Sequence, residues 1–334
     1  MKVSTLDITR TDKNPVELTD RKGIYETPLR RNIQLIRGWI RAVRLKFLLA
    51  SLIASAIGIS FAFWKYSSFD LNYALLTMAG VFSLHASIDL LNDYWDYKRG
   101  IDKVVKRTKF SGGSGVIPEN ILSPQSVYKA AMLLLIIGIS IGGYFTLLRG
   151  PLVAVILVFA VLAIFFYSSK IVNFGLAELF VGIKGALIVI GSFYVQTSFI
   201  EFPVIFLGII VGLLSSSVLL INSFPDYKAD RLGGRRTAVI ILGKKRSYKI
   251  FSMIVMAVYA LILIGIFVNY LSVYSIACLA STPYSLRAIR ELRENYEGSD
   301  ALLPAMASTI KYSRITSLAL LISMLVPISW ELYF

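Results

Sequence analysis

The sequence has very few residues that can form disulfides or bind transition metals. It contains one cysteine, Cys278, and one histidine, His85, among 334 residues. A single cysteine excludes an internal disulfide framework, and one histidine with one cysteine argues against a zinc site. Any bound metal is therefore expected to be a hard cation held by oxygen atoms, because oxygen ligands are what the sequence offers.

Long apolar runs, by contrast, recur along the whole chain. Apolar residues make up 56% of the sequence, and the mean hydropathy is +0.68. Runs of about 20 apolar residues are long enough to cross a bilayer as helices. We predict an all-α, polytopic membrane protein with nine transmembrane helices, near residues 47–66, 72–93, 127–148, 151–168, 175–198, 202–222, 248–270, 271–286 and 313–333.

The net charge of +15 is explained by membrane topology and does not indicate nucleic-acid binding. Lys and Arg concentrate in the N-terminal segment and after even-numbered spans, whereas only Lys65 and Arg149 follow odd-numbered ones. This asymmetry predicts a cell-membrane protein whose N-terminus and even-numbered connections are cytoplasmic. Residues 1–46 form a predicted cytoplasmic segment with an interfacial amphipathic helix, and residues 47–334 form the nine-helix domain. Anionic lipid is an expected partner.

Two clusters of polar side chains lie at the ends of even-numbered spans, at equivalent places. The first cluster contains Asp89, Asn92, Asp93 and Asp96. The second contains Asn222, Asp226 and Asp230. Within each cluster the spacing of three, four or eight residues places side chains on one helical face. This predicts two four-helix halves plus a ninth helix, with the clusters facing each other across a central cavity.

Facing carboxylates can hold divalent cations, and the loops after each cluster supply basic residues. Mg²⁺ is usually bound through one or two carboxylates plus phosphate oxygens of a substrate. Carboxylates that bind a metal, together with Lys and Arg that bind phosphate oxygens, predict a diphosphate site. The loop "FSGGSGVIPEN" adds glycines that let the backbone fold closely over a ligand. The basic residues are Lys98, Arg99, Lys103, Lys106 and Arg107 after the first cluster, and Lys228, Arg231, Arg235 and Arg236 after the second.

The stretches "NDYWDYKRGID" and "DYKAD" resemble the two aspartate-rich motifs of the UbiA-type intramembrane prenyltransferases. The resemblance implies nine helices and transfer of an isoprenoid chain from a polyprenyl diphosphate to an aromatic or other acceptor, with Mg²⁺. Further stretches, among them "SGGSGVIPENIL" and "DRLGGRRTAVIILG", are most similar to the branch that prenylates 1,4-dihydroxy-2-naphthoate in menaquinone synthesis.

The resemblance also implies roles for individual residues. Asp93, Asp96, Asp226, Asp230 and Tyr167 are the implied catalytic residues. Metal coordination is implied for Asn92, Asp93, Asp96, Asp102, Asp226 and Asp230. The residues expected to bind substrate are Asn92, Arg107, Lys170, Asn222, Arg235, Arg236 and Arg44. Of these, Arg44 is placed on the acceptor side with the loop from Ser111 to Pro118, because a guanidinium can pair with an acceptor carboxylate.

Two intramembrane residues receive no catalytic role from the sequence. His85 is interpreted as a helix-packing residue, and Lys184 either snorkels or pairs with Glu178. Two alternatives to the naphthoate reaction stay open: a prenyltransferase with another quinone head group or a glycerol-phosphate acceptor, and a transporter with intramembrane acids. The continuous signature of the CDP-alcohol phosphotransferases is absent from the sequence, which argues against that class. No obligate protein partner is evident.

Overall fold

The computed structural model describes residues 28–100, 112–166, 174–232, 234, 236–298 and 300–326. Over these ranges the regular structure is helical, and they contain no β-strand. The predicted all-α class is thereby confirmed. The first seven helices are α1 Pro28–Ala42, α2 Leu45–Tyr66, α3 Leu71–Lys98, α4 Pro124–Arg149, α5 Pro151–Phe166, α6 Ala177–Thr197 and α7 Phe202–Asn222. The remaining helices are α8 Tyr227–Leu232, α9 Ala238–Leu242, α10 Lys244–Phe267, α11 Thr282–Asn295 and α12 Leu303–Ser323.

Six helices in the described ranges are long and apolar enough to cross a membrane. They are α2, α3, α4, α6, α7 and α10, and α5 is a shorter apolar helix. The predicted span 271–286 is instead a 3₁₀ segment, Val273–Ser281, that continues into the polar helix α11. The predicted span 313–333 begins earlier, as α12. Lys311 and Arg314 lower the hydropathy of α12, so the nine-span count is not confirmed.

Helices α2, α3, α6 and α7 form the centre of the molecule. The pairs α6 and α7, α3 and α4, and α2 and α6 make the most extensive contacts. Where α6 crosses α7, a Cβ added at Gly212 would lie 2.5 Å from the carbonyl oxygen of Gly182. Small residues at a helix crossing let the backbones approach closely in the absence of a strong hydrophobic drive between helices. This crossing fixes which face of α6 points inward.

The amphipathic helix α1 lies against α3 and the loop that precedes α4. Trp39 in α1 and Val43 directly after it pack on the cluster formed by α3 and α4, whereas Ile33, Ile36 and Ile40 are exposed. A helix with an apolar face outside the protein core is typical of the membrane interface. Helix α1 also contacts the loop before α4 and leads into α2, close to the end of α3 that carries the first cluster.

Candidate active site

The two polar clusters meet in one cavity. It has a volume of about 300 Å³ and lies between α2, α3, α6 and α7. The structure brings together six polar cluster residues in its wall: Asp89, Asn92, Asp96, Asn222, Asp226 and Asp230. Helix α3 continues to Lys98, so the first cluster lies inside one uninterrupted helix, whereas the second spans the break between α7 and α8. The cavity therefore has oxygen ligands from two separate parts of the chain, α3 and the α7–α8 region.

Asp93 differs from its neighbours because it does not line the cavity. Arg44 Nη2 donates a hydrogen bond of 2.5 Å to Asp93 Oδ1. The backbone N–H of Ser114 donates to the same oxygen at 3.3 Å. Asp93 is only 4% exposed, and its Oδ2 is buried without a hydrogen-bond partner. The carboxylate thus ties α3 to the start of α2 and to the glycine-rich loop.

Arg44 connects α1 to α2 in a left-handed backbone conformation, with φ of 46°. Burial of its guanidinium opposes the charge, but the carboxylates of Asp93 and Asp89 raise the pKa of Arg44 above its ordinary value. Arg44 also lines the cavity. The sequence predicted that Arg44 pairs with an acceptor carboxylate. In the structure its guanidinium is already bound to Asp93.

The glycine-rich loop covers the cavity next to this ion pair. Gly112 and Gly113 line the cavity with φ of 88° and 76°, a backbone region that side chains disfavour. Glu119 holds the end of the loop through two hydrogen bonds of 2.6 Å from Arg41 in α1. This hydrogen bond raises the pKa of Arg41. One ion pair, Arg41–Glu119, thus joins α1 to the loop, and Asp93 in α3 contacts the same loop through the N–H of Ser114.

Several predicted site residues either do not line the cavity or lie outside the residues that the structure describes. Arg236 is exposed and does not line the cavity, although its neighbour Thr237 does. Outside the described residues lie Asp102, Arg107, Tyr167, Lys170 and Arg235, together with Ser111. Their predicted roles stay predictions.

The cavity wall also contains polar residues that the sequence did not predict as site residues, among them Ser51, His85 and Lys184. His85 Nδ1 lies 2.6 Å from Ser51 Oγ, which joins α3 to α2 as the packing interpretation expects. Glu178 accepts a hydrogen bond of 3.1 Å from Ser223, and no ion pair joins it to Lys184 among the described residues. Lys184 could have been predicted as a site residue from its position within an apolar span, because charged residues are rare there and usually functional.

A second, apolar pocket of about 150 Å³ adjoins the polar cavity. Its walls come from α3, α4, α5 and α6, with Leu84, Phe159 and Ala160 among the lining residues. Both spaces share the lining residues Ser51, His85, Ile88, Lys184 and Ile188. A ligand with a charged head and an apolar tail would fit across this shared wall.

The donor atoms of the polar cavity suit a hard divalent cation. They are carboxylate and amide oxygens, and Asn222 Oδ1 and Asp89 Oδ2 are buried without a hydrogen-bond partner. No group of three or more His, Cys, Asp or Glu side chains in the described ranges converges as a preformed metal site. Mg²⁺ does not require one, because phosphate oxygens and water complete its coordination. The residues present therefore fit Mg²⁺ bound together with a phosphorylated ligand.

Comparison with solved structures identifies the fold. A UbiA homolog from Archaeoglobus fulgidus bound to DMAPP and Mg²⁺ aligns with a TM-score of 0.62 at 13% identity, over 87% of this chain and 100% of that one. The apo structure of a UbiA homolog from Aeropyrum pernix K1 aligns with a TM-score of 0.63 at 17% identity, over 83% and 98%. At these identities the likeness concerns the fold.

Sequence comparison identifies relatives with known names. The 1,4-dihydroxy-2-naphthoate octaprenyltransferase of Bacillus subtilis is 26% identical over 75% of this chain and 82% of its own length. The enzyme of the same name from Mycobacterium leprae is 27% identical over 81% and 90%. The model of the UbiA prenyltransferase family matches residues 51–328. This chain therefore belongs to the UbiA prenyltransferase family and is a membrane-embedded prenyltransferase.

Proposed function

We propose that this protein transfers a polyprenyl chain from a polyprenyl diphosphate to 1,4-dihydroxy-2-naphthoate, in the menaquinone branch of quinone biosynthesis. The observation that supports the proposal is that the polar cavity and the apolar pocket lie next to each other. Carboxylates and asparagines from both clusters line the polar cavity, and this cavity shares lining residues with an apolar pocket. A prenyl diphosphate has the same division into a charged head and an apolar tail.

The diphosphate lies, in this proposal, between the two clusters. Mg²⁺ would be held by Asn92, Asp96, Asp102, Asp226 and Asp230, whereas Asp93, which is bound to Arg44 and does not line the cavity, would position this wall. Bound Mg²⁺ neutralises the negative charge that grows on the diphosphate as it leaves. Asn222 binds phosphate oxygen beside Asp226, and Arg107, Lys170, Arg235 and Arg236 add positive charge. Two UbiA homolog structures described as bound to Mg²⁺ with DMAPP or GPP support this division of roles.

The prenyl tail occupies the apolar pocket, so its first carbon lies near the shared wall. The allylic C–O bond breaks there, and its electron pair leaves with the diphosphate. A ring carbon of the acceptor forms the new C–C bond and then loses its proton. Tyr167 is proposed to face the carbocation-like carbon, because an aromatic face stabilises positive charge.

The naphthoate acceptor is supported by the names of the curated relatives. Enzymes named 1,4-dihydroxy-2-naphthoate octaprenyltransferase match from three bacterial genera, at 24–27% identity. A glycerol-phosphate acceptor is the second candidate. It is favoured by the structural likeness to a digeranylgeranylglyceryl phosphate synthase, with a TM-score of 0.61 at 16% identity.

The membrane arrangement is part of the same proposal. Nine helices, as two four-helix halves and a ninth helix, surround the central cavity in the cell membrane. The N-terminus and the loops at the active site face the cytoplasm, as the Lys and Arg distribution predicts. The exposed isoleucines of α1 then lie in the cytoplasmic interface.

A product assay tests the proposed reaction. Purified protein is incubated with Mg²⁺, octaprenyl diphosphate and, in parallel, 1,4-dihydroxy-2-naphthoate, 4-hydroxybenzoate or geranylgeranylglyceryl phosphate, and prenylated products are identified by mass spectrometry. We expect the naphthoate to give the highest kcat/KM. Preferential prenylation of the glycerol phosphate would replace the naphthoate proposal with the second candidate.

A further inference from the structure

Lys184 lies at the boundary between the polar cavity and the apolar pocket, and lines both. It sits seven residues into α6, close to two turns from the helix start. Its side chain is half-buried and makes no hydrogen bond or ion pair to any residue that the structure describes. A lysine within a membrane span is costly unless it meets an anion or water. The position therefore favours an anionic ligand.

The depth of Lys184 separates it from the proposed diphosphate position. His85, which shares both linings with Lys184, precedes Asn92 by seven residues on α3. At 1.5 Å per residue, this places His85 about 10 Å deeper in the membrane than the level of Asn92. Asp96 lies a further turn toward the helix end. The level of Lys184 and His85 is thus where tail and acceptor would meet, below the diphosphate.

Only two Lys or Arg side chains line the cavity within the described residues, Arg44 and Lys184. Arg44 is bound to Asp93, at 2.5 Å, and a buried charge that loses its partner is strongly destabilised. Lys184 makes no ion pair among the described residues, although Asp89 lines the same cavity. A ligand anion can therefore approach Lys184 without displacing a protein ion pair, whereas at Arg44 it would compete with Asp93.

Resting on the proposed prenyl transfer, we propose that Lys184 determines acceptor specificity by binding the carboxylate of an aromatic acid acceptor. The ammonium holds this carboxylate at the shared wall, so that the acceptor ring lies beside the first carbon of the prenyl tail. Asp89 balances the lysine charge when the acceptor is absent. Arg44, in this arrangement, positions Asp93 and the glycine-rich loop and does not bind the acceptor.

The test compares two acceptors that differ only in the carboxylate: 1,4-dihydroxy-2-naphthoate and 1,4-dihydroxynaphthalene. Equilibrium binding of each is measured on full-length protein, without metal or donor, for wild type and Lys184→Met. Loss of a charged hydrogen bond weakens binding about 10- to 100-fold. We expect this loss for the naphthoate and little change for the naphthalene. The KM for octaprenyl diphosphate, measured with the naphthalene as acceptor, stays unchanged.

Two further variants keep the test decisive. Lys184→Met leaves Asp89 without a balancing charge, so Asp89→Asn/Lys184→Met is measured beside it and should show the same selective loss. Arg44→Gln should affect both acceptors equally. Unchanged naphthoate binding in both Lys184 variants, or equal losses for both acceptors, would overturn the proposal. A raised donor KM would assign Lys184 to the diphosphate, and a naphthoate-selective loss in Arg44→Gln would return the role to Arg44.

The prenylation assay with wild-type protein tests the proposed reaction independently of the role of Lys184. If wild-type protein prenylates neither ring compound, the proposed reaction is wrong whatever the binding data show. If it prenylates both but the variants bind the naphthoate as wild type does, only the role of Lys184 is wrong.

Discussion

Arg44 Nη2 and Asp93 Oδ1 are joined by a hydrogen-bonded ion pair of 2.5 Å, beside the cavity that holds the other acidic residues. The Asp93 side chain is 5% exposed and that of Arg44 is 25% exposed. The pair connects the turn between α1 and α2 to the end of α3. It therefore holds the part of α3 whose Asn92 and Asp96 line the cavity, and Arg44 lines the cavity with them.

Breaking this pair should destabilise the protein. Arg44→Gln leaves the buried Asp93 carboxylate without its partner, and loss of one member of a buried pair costs about 3 kcal/mol. The matched control is Arg41→Gln, which breaks an exposed pair whose side chains are 43% and 39% exposed. Exposed pairs contribute about 1 kcal/mol or less. Thermal unfolding in one detergent compares the two variants, and equal destabilisation would contradict the structural role of Arg44.

The carboxylates that line the cavity should be needed for turnover and not for folding. Asp96→Ala, Asp226→Ala and Asp230→Ala each remove oxygen ligands from a site whose metal prefers oxygen. We expect each variant to lose most prenyl transfer while its melting temperature stays near that of wild type. Glu294→Ala, on the exposed face of α11, is the control and should keep full activity. Wild-type transfer that persists in excess chelator would contradict the metal-dependent mechanism.

Sequence spacing was sufficient to place most of the acidic residues in one cavity. Helical periodicity groups Asn92 with Asp96 and Asn222 with Asp226, and the position of each group at the end of an even-numbered span predicted that they face each other. The pairing of Asp93 with Arg44 was not predictable, because it depends on a left-handed turn at Arg44 that no local residue pattern signals.

The place of Lys184 also escaped the sequence analysis, because it depends on how α6 is rotated. The close approach of Gly182 to Gly212 determines that rotation, and a helix that is apolar on nearly every side carries little periodic signal. The last two predicted spans have other bounds in the structure, because residues 273–281 form a 3₁₀ segment before α11 and polar residues such as Lys311 lie within α12.

The crossing of α6 and α7 should not tolerate a larger side chain. The Cβ of Gly212→Ala would lie 2.5 Å from a backbone carbonyl oxygen, so the two helices must separate. Overpacking of this kind costs about 1–3 kcal/mol. At Gly143, in α4, an added Cβ meets nothing within 4 Å, and Gly143→Ala should be neutral or slightly stabilising. Melting temperatures of both variants test the crossing, and equal values would contradict it.

The apolar pocket should limit the length of prenyl chain that is accepted. Ala160→Phe places an aromatic ring in a pocket of about 150 Å³, and should lower kcat/KM more for octaprenyl than for geranyl diphosphate. Val158→Phe, two residues away on the exposed side of α5, is the control. Steady-state kinetics with both donors decide the question. A loss that is equal for the two donors would show that the tail lies elsewhere.

The central claim is that the two clusters bind one metal–diphosphate group across the cavity. It is tested most directly by a structure of the protein with Mn²⁺ and geranyl S-thiolodiphosphate, a donor analogue that resists cleavage, using anomalous scattering to locate the metal. The account predicts Mn²⁺ peaks between Asn92 and Asp96 on one wall and Asp226 and Asp230 on the other, with the geranyl group in the apolar pocket. Metal or diphosphate bound away from these residues would contradict it.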